Sequence, residues 1–273
     1  MRIVVLVGVS VLVALAAISG AMVLMEDRFI YFPAADLSAT PRSLGLRFED
    51  RWLTTDDGVR LHAWHIPNPE ARYTAIDFHG NAGNLGDRVY HYAQWHRAGL
   101  AVYAVDYRGY GRSAGTPSED GLYRDARSVW ADVTSELAVP PDRVVVVGRS
   151  LGTGPATQLA TEVRPAGLVL ESPMTSIPDM ARVAYPWLPV SFMIRTRFDN
   201  LSKITSVTCP LMVIHAAEDE IIPEWMGRRL FEAARDPKLW VSVAGRHNDF
   251  DDVSAEAYEA AWRAFLGSLP PPV

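Results

Sequence analysis

Val144-Val145-Val146-Val147-Gly148-Arg149-Ser150-Leu151-Gly152-Thr153-Gly154 joins a β-branched run to Gly-x-Ser-x-Gly and then to a segment rich in alanine and leucine. Four consecutive valines read as a buried strand, and the segment from Gly152 to Val163 has helical spacing. A strand that breaks into a helix across a serine is the layout of a nucleophile elbow, in which a tight turn holds the hydroxyl exposed. Side chains on either side of such a turn would crowd it, and Gly148 and Gly152 stand at those two places. Alone, the five residues also fit an ordinary glycine-rich strand exit, so the flanking sequence has to decide.

Outward from the elbow, apolar strand-like runs recur at 46–55, 59–66, 73–78, 100–105, 143–147, 167–170, 211–214 and 239–243. Asp56-Asp57-Gly58 between the first two is a hairpin signal. Helix-period segments occupy 85–98, 118–137, 152–163, 224–234 and 254–269. The alternation predicts an α/β fold: a mostly parallel eight-stranded sheet with helices on both faces and an antiparallel start. Residues 173–204 break the pattern. Pro173, Pro178, Pro186 and Pro189 preclude one long helix there, and the apolar residues between them suit a short lid or cap over the sheet, receptive to an acyl chain.

In such sheets ligands bind beyond the carboxyl ends of the strands. The chemically suggestive residues fall at those ends: 81–86 after the third strand, 106–113 after the fourth, Ser150 after the fifth, Glu171 after the sixth, Asp219 after the seventh and His247 after the eighth. A serine needs a base. Of seven histidines, His247 alone lies in a polar loop after the last strand, in Ala244-Gly245-Arg246-His247-Asn248-Asp249. His215 reads as a structural histidine at a strand end.

The imidazole in turn needs a carboxylate to fix its tautomer. Asp219 lies 69 residues after Ser150 and 28 before His247, in His215-Ala216-Ala217-Glu218-Asp219-Glu220, and Glu171 competes with it. Glu218 and Glu220 read as solvated neighbours. An oxyanion would be held by main-chain amides, and His79-Gly80-Asn81-Ala82-Gly83-Asn84 offers a glycine-rich loop for that purpose. The candidate donors are the amides of Asn81 and Leu151. Asp106-Tyr107-Arg108-Gly109-Tyr110-Gly111 reads as a structural turn beside them, with Asp106 outside the catalytic set.

The chain has 273 residues, 49% of them hydrophobic and 21% charged, which is enough for one large α/β domain. A formal net charge of -6 without a basic block argues against nucleic acid as a partner. The single cysteine, Cys209, excludes an intrachain disulfide and a cysteine-based metal site. No metal or organic cofactor is expected, and nothing in the sequence specifies an oligomer.

Ile3 to Met25 is a run of 23 uncharged residues. As a helix it would be about 35 Å long, sufficient for a bilayer core of about 30 Å. It is longer than the apolar stretch of a usual signal peptide, although Ser19-Gly20-Ala21 has the small residues of a cleavage site. The expected organisation is a transmembrane anchor over 1–25, a linker over 26–45 and a hydrolase domain over 46–273. A cleaved secretory signal is the second reading. Arg2 ahead of the run favours a cytoplasmic N-terminus and a catalytic domain on the other side.

Taken together, these motifs resemble the α/β-hydrolase superfamily over nearly the whole chain. More narrowly, they resemble a branch of membrane-anchored serine hydrolases that includes monoacylglycerol, lysophospholipid and protein-depalmitoylating hydrolases. Ala216 and Arg246 depart from it where glycine is usual, without removing a catalytic group. The resemblance implies hydrolysis of carboxylic esters of small molecules or lipids through an acyl-serine, by Ser150, Asp219 and His247. A thioesterase or serine peptidase on the same three residues is the alternative, and a silent membrane-tethered binding module the remote one. Dehalogenase and epoxide-hydrolase chemistry is disfavoured, because those branches carry Asp at the Ser150 position.

Overall fold

The computed structural model describes residues 2–271. Among them, eight strands form one sheet: β1 (Glu49–Thr54), β2 (Arg60–Ile66), β3 (Tyr73–Phe78), β4 (Leu100–Val105), β5 (Val144–Arg149), β6 (Gly167–Glu171), β7 (Leu211–Ala216) and β8 (Lys238–Val243). Their spatial order is β8-β7-β6-β5-β3-β4-β2-β1. β1 pairs antiparallel with β2, and β2 antiparallel with β4, while every other pairing is parallel. The α/β architecture and its antiparallel start are those expected from the alternation.

Among the described residues, the α-helices longer than four residues are α1 (Arg2–Leu24), α2 (Val89–Arg97), α3 (Glu119–Ala131), α4 (Thr153–Glu162), α5 (Ile177–Ala184), α6 (Asn200–Ile204), α7 (Glu224–Ala233) and α8 (Ala255–Ser268). Alternate residues of the central strands face opposite cores. Val144 and Val146 pack with Leu122 of α3, Leu159 of α4 and Leu230 of α7, whereas Val145 and Val147 pack with Trp95 of α2 and Trp262 of α8. β5 is buried on both sides, which is why its sequence is continuously apolar. Each of its valines contributes about 1.5–3 kcal/mol through burial.

Several boundaries differ from expectation: the strand expected over 46–55 spans Glu49–Thr54, and the helix expected over 85–98 opens as a 3-10 turn, Leu85–Arg88. The helix anticipated over 118–137 is α-helical only to Ala131 and continues as a π turn over Asp132–Glu136, where Asp132 accepts hydrogen bonds from Arg51 and Tyr103. The helix anticipated from Ser254 begins at Ala255 and is preceded by a short helical turn, Phe250–Val253.

The segment expected to be a linker, 26–45, is pinned to the body. Phe32–Pro33 forms a parallel ladder with Ala82–Gly83, Ile30 and Tyr31 are buried, and the Asn84 amide donates to the carbonyls of Ala34 and Asp36. Its main chain finds hydrogen-bond partners in the loop after β3, which composition could not show. Over 173–204 the chain makes short pieces: α5, with Pro178 in its first turn and Ser176 as N-cap, a 3-10 turn at Pro189–Phe192, and α6. α1 is long and apolar enough to cross a membrane and is almost wholly exposed.

Candidate active site

β5 delivers Ser150 at its carboxyl end. Ser150 has φ +53, in the left-handed region that L-residues adopt at a cost, and a 3-10 turn over Ser150–Gly152 leads into α4. The flanking glycines make this turn sterically possible. A Cβ at Gly148 would lie 2.5 Å from the Gly152 carbonyl oxygen and 2.6 Å from the Ala156 Cβ, and one at Gly152 would overlap the Phe78 carbonyl. Thr153 donates to the Ser150 carbonyl at 2.6 Å and receives the Asn200 amide at 3.2 Å, holding the turn to α6.

The loop after β8 places His247 Nε2 at 3.1 Å from Ser150 Oγ. His247 Nδ1 lies 2.8 Å and 3.0 Å from the two carboxylate oxygens of Asp219. With the proton on Nδ1 shared with Asp219, Nε2 is left as an acceptor for the serine hydroxyl. The Asp219 side chain is fully buried, and it also receives the main-chain N–H groups of Ile221 and Ile222. Burial pushes its carboxyl up, but hydrogen bonding to and the charge of His247, with the Ile222 N–H, outweigh this and hold it below the usual carboxylate range.

Glu171 stands at the end of β6 but turns elsewhere. Its carboxylate receives the Tyr258 hydroxyl at 2.5 Å and lies 3.9 Å from Arg149. Burial, only partly offset by the charge of Arg149 and the Tyr258 hydroxyl, pushes it up to about 7. His215 Nε2 donates to the Ile222 carbonyl, 2.9 Å away, bracing the Asp219 loop, and burial holds its imidazole below its ordinary range.

Gly80, Asn81 and Ala82 line the same cavity as Ser150 and Leu151. The Asn81 main-chain carbonyl accepts from the Phe32 N–H and the Tyr110 hydroxyl, both at 2.9 Å, and the Asn81 side-chain Nδ2 donates to the Ile30 carbonyl at 3.3 Å. Behind this loop Asp106 accepts from the Leu85 N–H at 3.0 Å and lies 3.5 Å from His79 Nε2, so it supports the loop from within.

Two contributors, Arg149 and Asp251, went unread in the sequence, and a third, Glu220, was read without its contact to His247. Arg149, the second residue of Gly-x-Ser-x-Gly, is buried. It donates to the His247 carbonyl and to Asp251, both at 3.1 Å, and its guanidinium lies over the Phe250 ring. Asp251 also binds His91 at 2.6 Å; burial raises its carboxyl, but His91 and Arg149 bring it down to about 2. Glu220, read as a solvated neighbour, is exposed yet accepts the His247 N–H at 3.2 Å. An arginine after four buried valines was the available signal, since a buried charge requires partners.

The cavity over Ser150 has a volume of about 570 Å³. Met174, Ile177, Met180, Tyr185 and Ile222 give it an apolar side, and Asp87, Arg88, His91 and Asn248 a polar one. Among the described residues no cluster of His, Cys, Asp or Glu has the makings of a metal site.

Residues 69–203 match the family described as serine aminopeptidase, S33. The chain is 36% identical over 262 residues to an uncharacterised protein of Mycobacterium tuberculosis, covering 93% of both chains. It is 37% identical over 201 residues to human alpha/beta hydrolase domain-containing protein 17B, covering 72% of this chain and 68% of that one. In three dimensions it is similar to an esterase from Pyrococcus furiosus, with a TM-score of 0.72 at 22% identity over 87% of this chain and 99% of the other; that likeness is one of fold.

Proposed function

The chain belongs to the α/β-hydrolase superfamily, and from that premise we propose that it hydrolyses carboxylic esters through an acyl-serine on Ser150. The observation that carries the proposal is the continuous hydrogen-bonded chain Ser150 Oγ, His247 Nε2, His247 Nδ1, Asp219. Ser150 Oγ attacks the ester carbonyl carbon while its proton passes to His247 Nε2, and Asp219 stabilises the resulting imidazolium. The amides of Asn81 and Leu151 hold the oxyanion. His247 then gives the proton to the departing alkoxide, leaving Ser150 acylated. Water repeats the sequence: its proton goes to His247, its oxygen to the acyl carbon, and the serine recovers its hydrogen.

The apolar side of the cavity favours an acyl chain on the carbonyl over a peptide, and a thioester would fit the same chemistry. Asp219 is assigned as the acid because Glu171 is engaged by Tyr258 and Arg149. The role of α1 is read as a membrane anchor with the hydrolase domain on the non-cytoplasmic side, and residues 173–204 as a lid. Hydrolysis of p-nitrophenyl butyrate by the full chain tests the reaction. Ser150→Ala should lower kcat by about 10⁶-fold, as does loss of the serine from a comparable triad. Equal activity in the variant would refute it.

A further inference from the structure

The cavity over Ser150 is not closed by the hydrolase domain alone. Met22 and Glu26, at the end of α1 and just beyond it, line it together with Phe29 and Ile30 of the short helix Asp27–Ile30. Opposite them stand Met180, Ala184, Tyr185 and Ile194 of the 173–204 segment.

This arrangement is fastened on both sides of the mouth. Leu15 and Met22 of α1, like Tyr185 and Ile194, pack against the buried pair Ala181 and Leu188. The Glu26 carboxylate, buried to 6% exposure, accepts the Arg195 N–H at 3.0 Å and the Thr196 hydroxyl at 3.2 Å, with Arg195 Nε at 3.4 Å. A buried carboxylate with these partners ties the chain just after α1 to the irregular segment between the 3-10 turn and α6. Around the tie, large apolar side chains are exposed: Phe29, Trp187, Phe192 and Met193, with Trp187 at 63% and Phe192 at 78%. Arg182 and Arg195 lie among them, 55% and 72% exposed at their side chains. Aromatic residues edged by arginine, adjoining a helix of membrane length, are the composition of a bilayer interface.

We propose that the foot of α1 is part of the substrate site: the acyl chain of a bilayer-resident amphiphile lies between Met22 and Phe29 on one side and Met180, Tyr185 and Ile194 on the other. The substrate thus reaches Ser150 laterally from the membrane that holds the protein. The inference rests on Ser150 as nucleophile and α1 as membrane helix. An acyl chain carried through water would expose every methylene, whereas a path bordered by the anchor keeps it in apolar surroundings throughout. The cavity volume of about 570 Å³ and its polar side at Arg88 and Asn248 suit a ligand with a head group as well as a chain.

The test uses the full chain in dioleoylphosphatidylcholine vesicles and a hexadecyl fluorophosphonate carrying a diazirine at the far end of its chain. Ser150 Oγ forms a bond to phosphorus, fluoride leaves, and the serine proton passes through His247 to water. Photolysis then ties the chain end to whatever it touches, and the adducts are mapped by mass spectrometry. The proposal expects phosphonylated Ser150 with photoadducts on residues 15–30, on 185–194 or on phospholipid. Phosphonylated Ser150 with photoadducts confined to Met174, Ile177 and 221–225 would overturn the lateral path while leaving the nucleophile in place. Absence of phosphonylation would overturn the nucleophile reading, and this one with it.

Discussion

Arg149 Nη2 donates to the main-chain carbonyl of His247 at 3.1 Å, so the residue just before Ser150 holds the loop that carries His247, the base we propose for it. The strand end and the histidine loop are joined by an arginine whose other nitrogen is held by Asp251. Arg149 thus adds a second link between the Ser150 turn and the His247 loop, beside the hydrogen bond from His247 Nε2 to Ser150 Oγ.

Arg149→Met should therefore slow catalysis without abolishing it. A displacement of the imidazole on the scale of 1 Å costs about 10²-fold, so kcat per titratable serine should fall by about that factor with KM for a short ester little changed. Arg149→Lys keeps the charge but not the planar fork and should fall between. A drop only in the amount of titratable enzyme, with kcat per site intact, would reduce Arg149 to a structural residue.

Asp219 and Glu171 are separated by a pair of isosteric substitutions. Asp219→Asn should lower kcat by about 10⁴-fold, the loss seen when the tautomer is no longer fixed in a comparable triad. Glu171→Gln should leave kcat near the parent value, because its carboxylate faces Tyr258 and Arg149. The reverse order, measured on p-nitrophenyl butyrate, would reassign the acid.

The fold was legible because its signals are local. Four valines, glycines at two crowded positions and alternation of strand and helix periods define a doubly covered sheet without long-range information. Position at the carboxyl ends of strands likewise singled out Ser150, Asp219, Glu171 and His247. The sequence favoured Asp219 over Glu171 by its place in the loop after the seventh strand, but did not reveal what engages Glu171, because that group is Tyr258 on α8, 87 residues away. The pairing of Phe32–Pro33 with Ala82–Gly83 was hidden for a similar reason: two residues of main-chain ladder leave no periodic trace. Arg149 left a trace that the motif itself obscured, since its position in Gly-x-Ser-x-Gly tolerates any residue.

Glu171 also makes stability depend on pH. Its carboxyl is raised from 4.5 to about 7 in the folded chain, so the folded state holds this proton more tightly than the unfolded one. That contribution is complete below pH 4.5 and is lost as pH rises through about 7, a change of about 3 kcal/mol from the linkage of proton binding to folding. Urea unfolding in detergent at pH 5 and pH 8 should show the parent losing more stability than Glu171→Gln across that interval. Parallel pH dependences in the two proteins would mean that Glu171 is ionised normally.

The central claim is that Ser150 is a nucleophile activated by His247. The most direct measurement is mass spectrometry of the full chain after treatment with an alkyl fluorophosphonate. The account predicts one adduct per chain, located on the peptide that carries Ser150, absent from Ser150→Ala and formed far more slowly in His247→Ala. Ester hydrolysis that continues while Ser150 stays unmodified would contradict it.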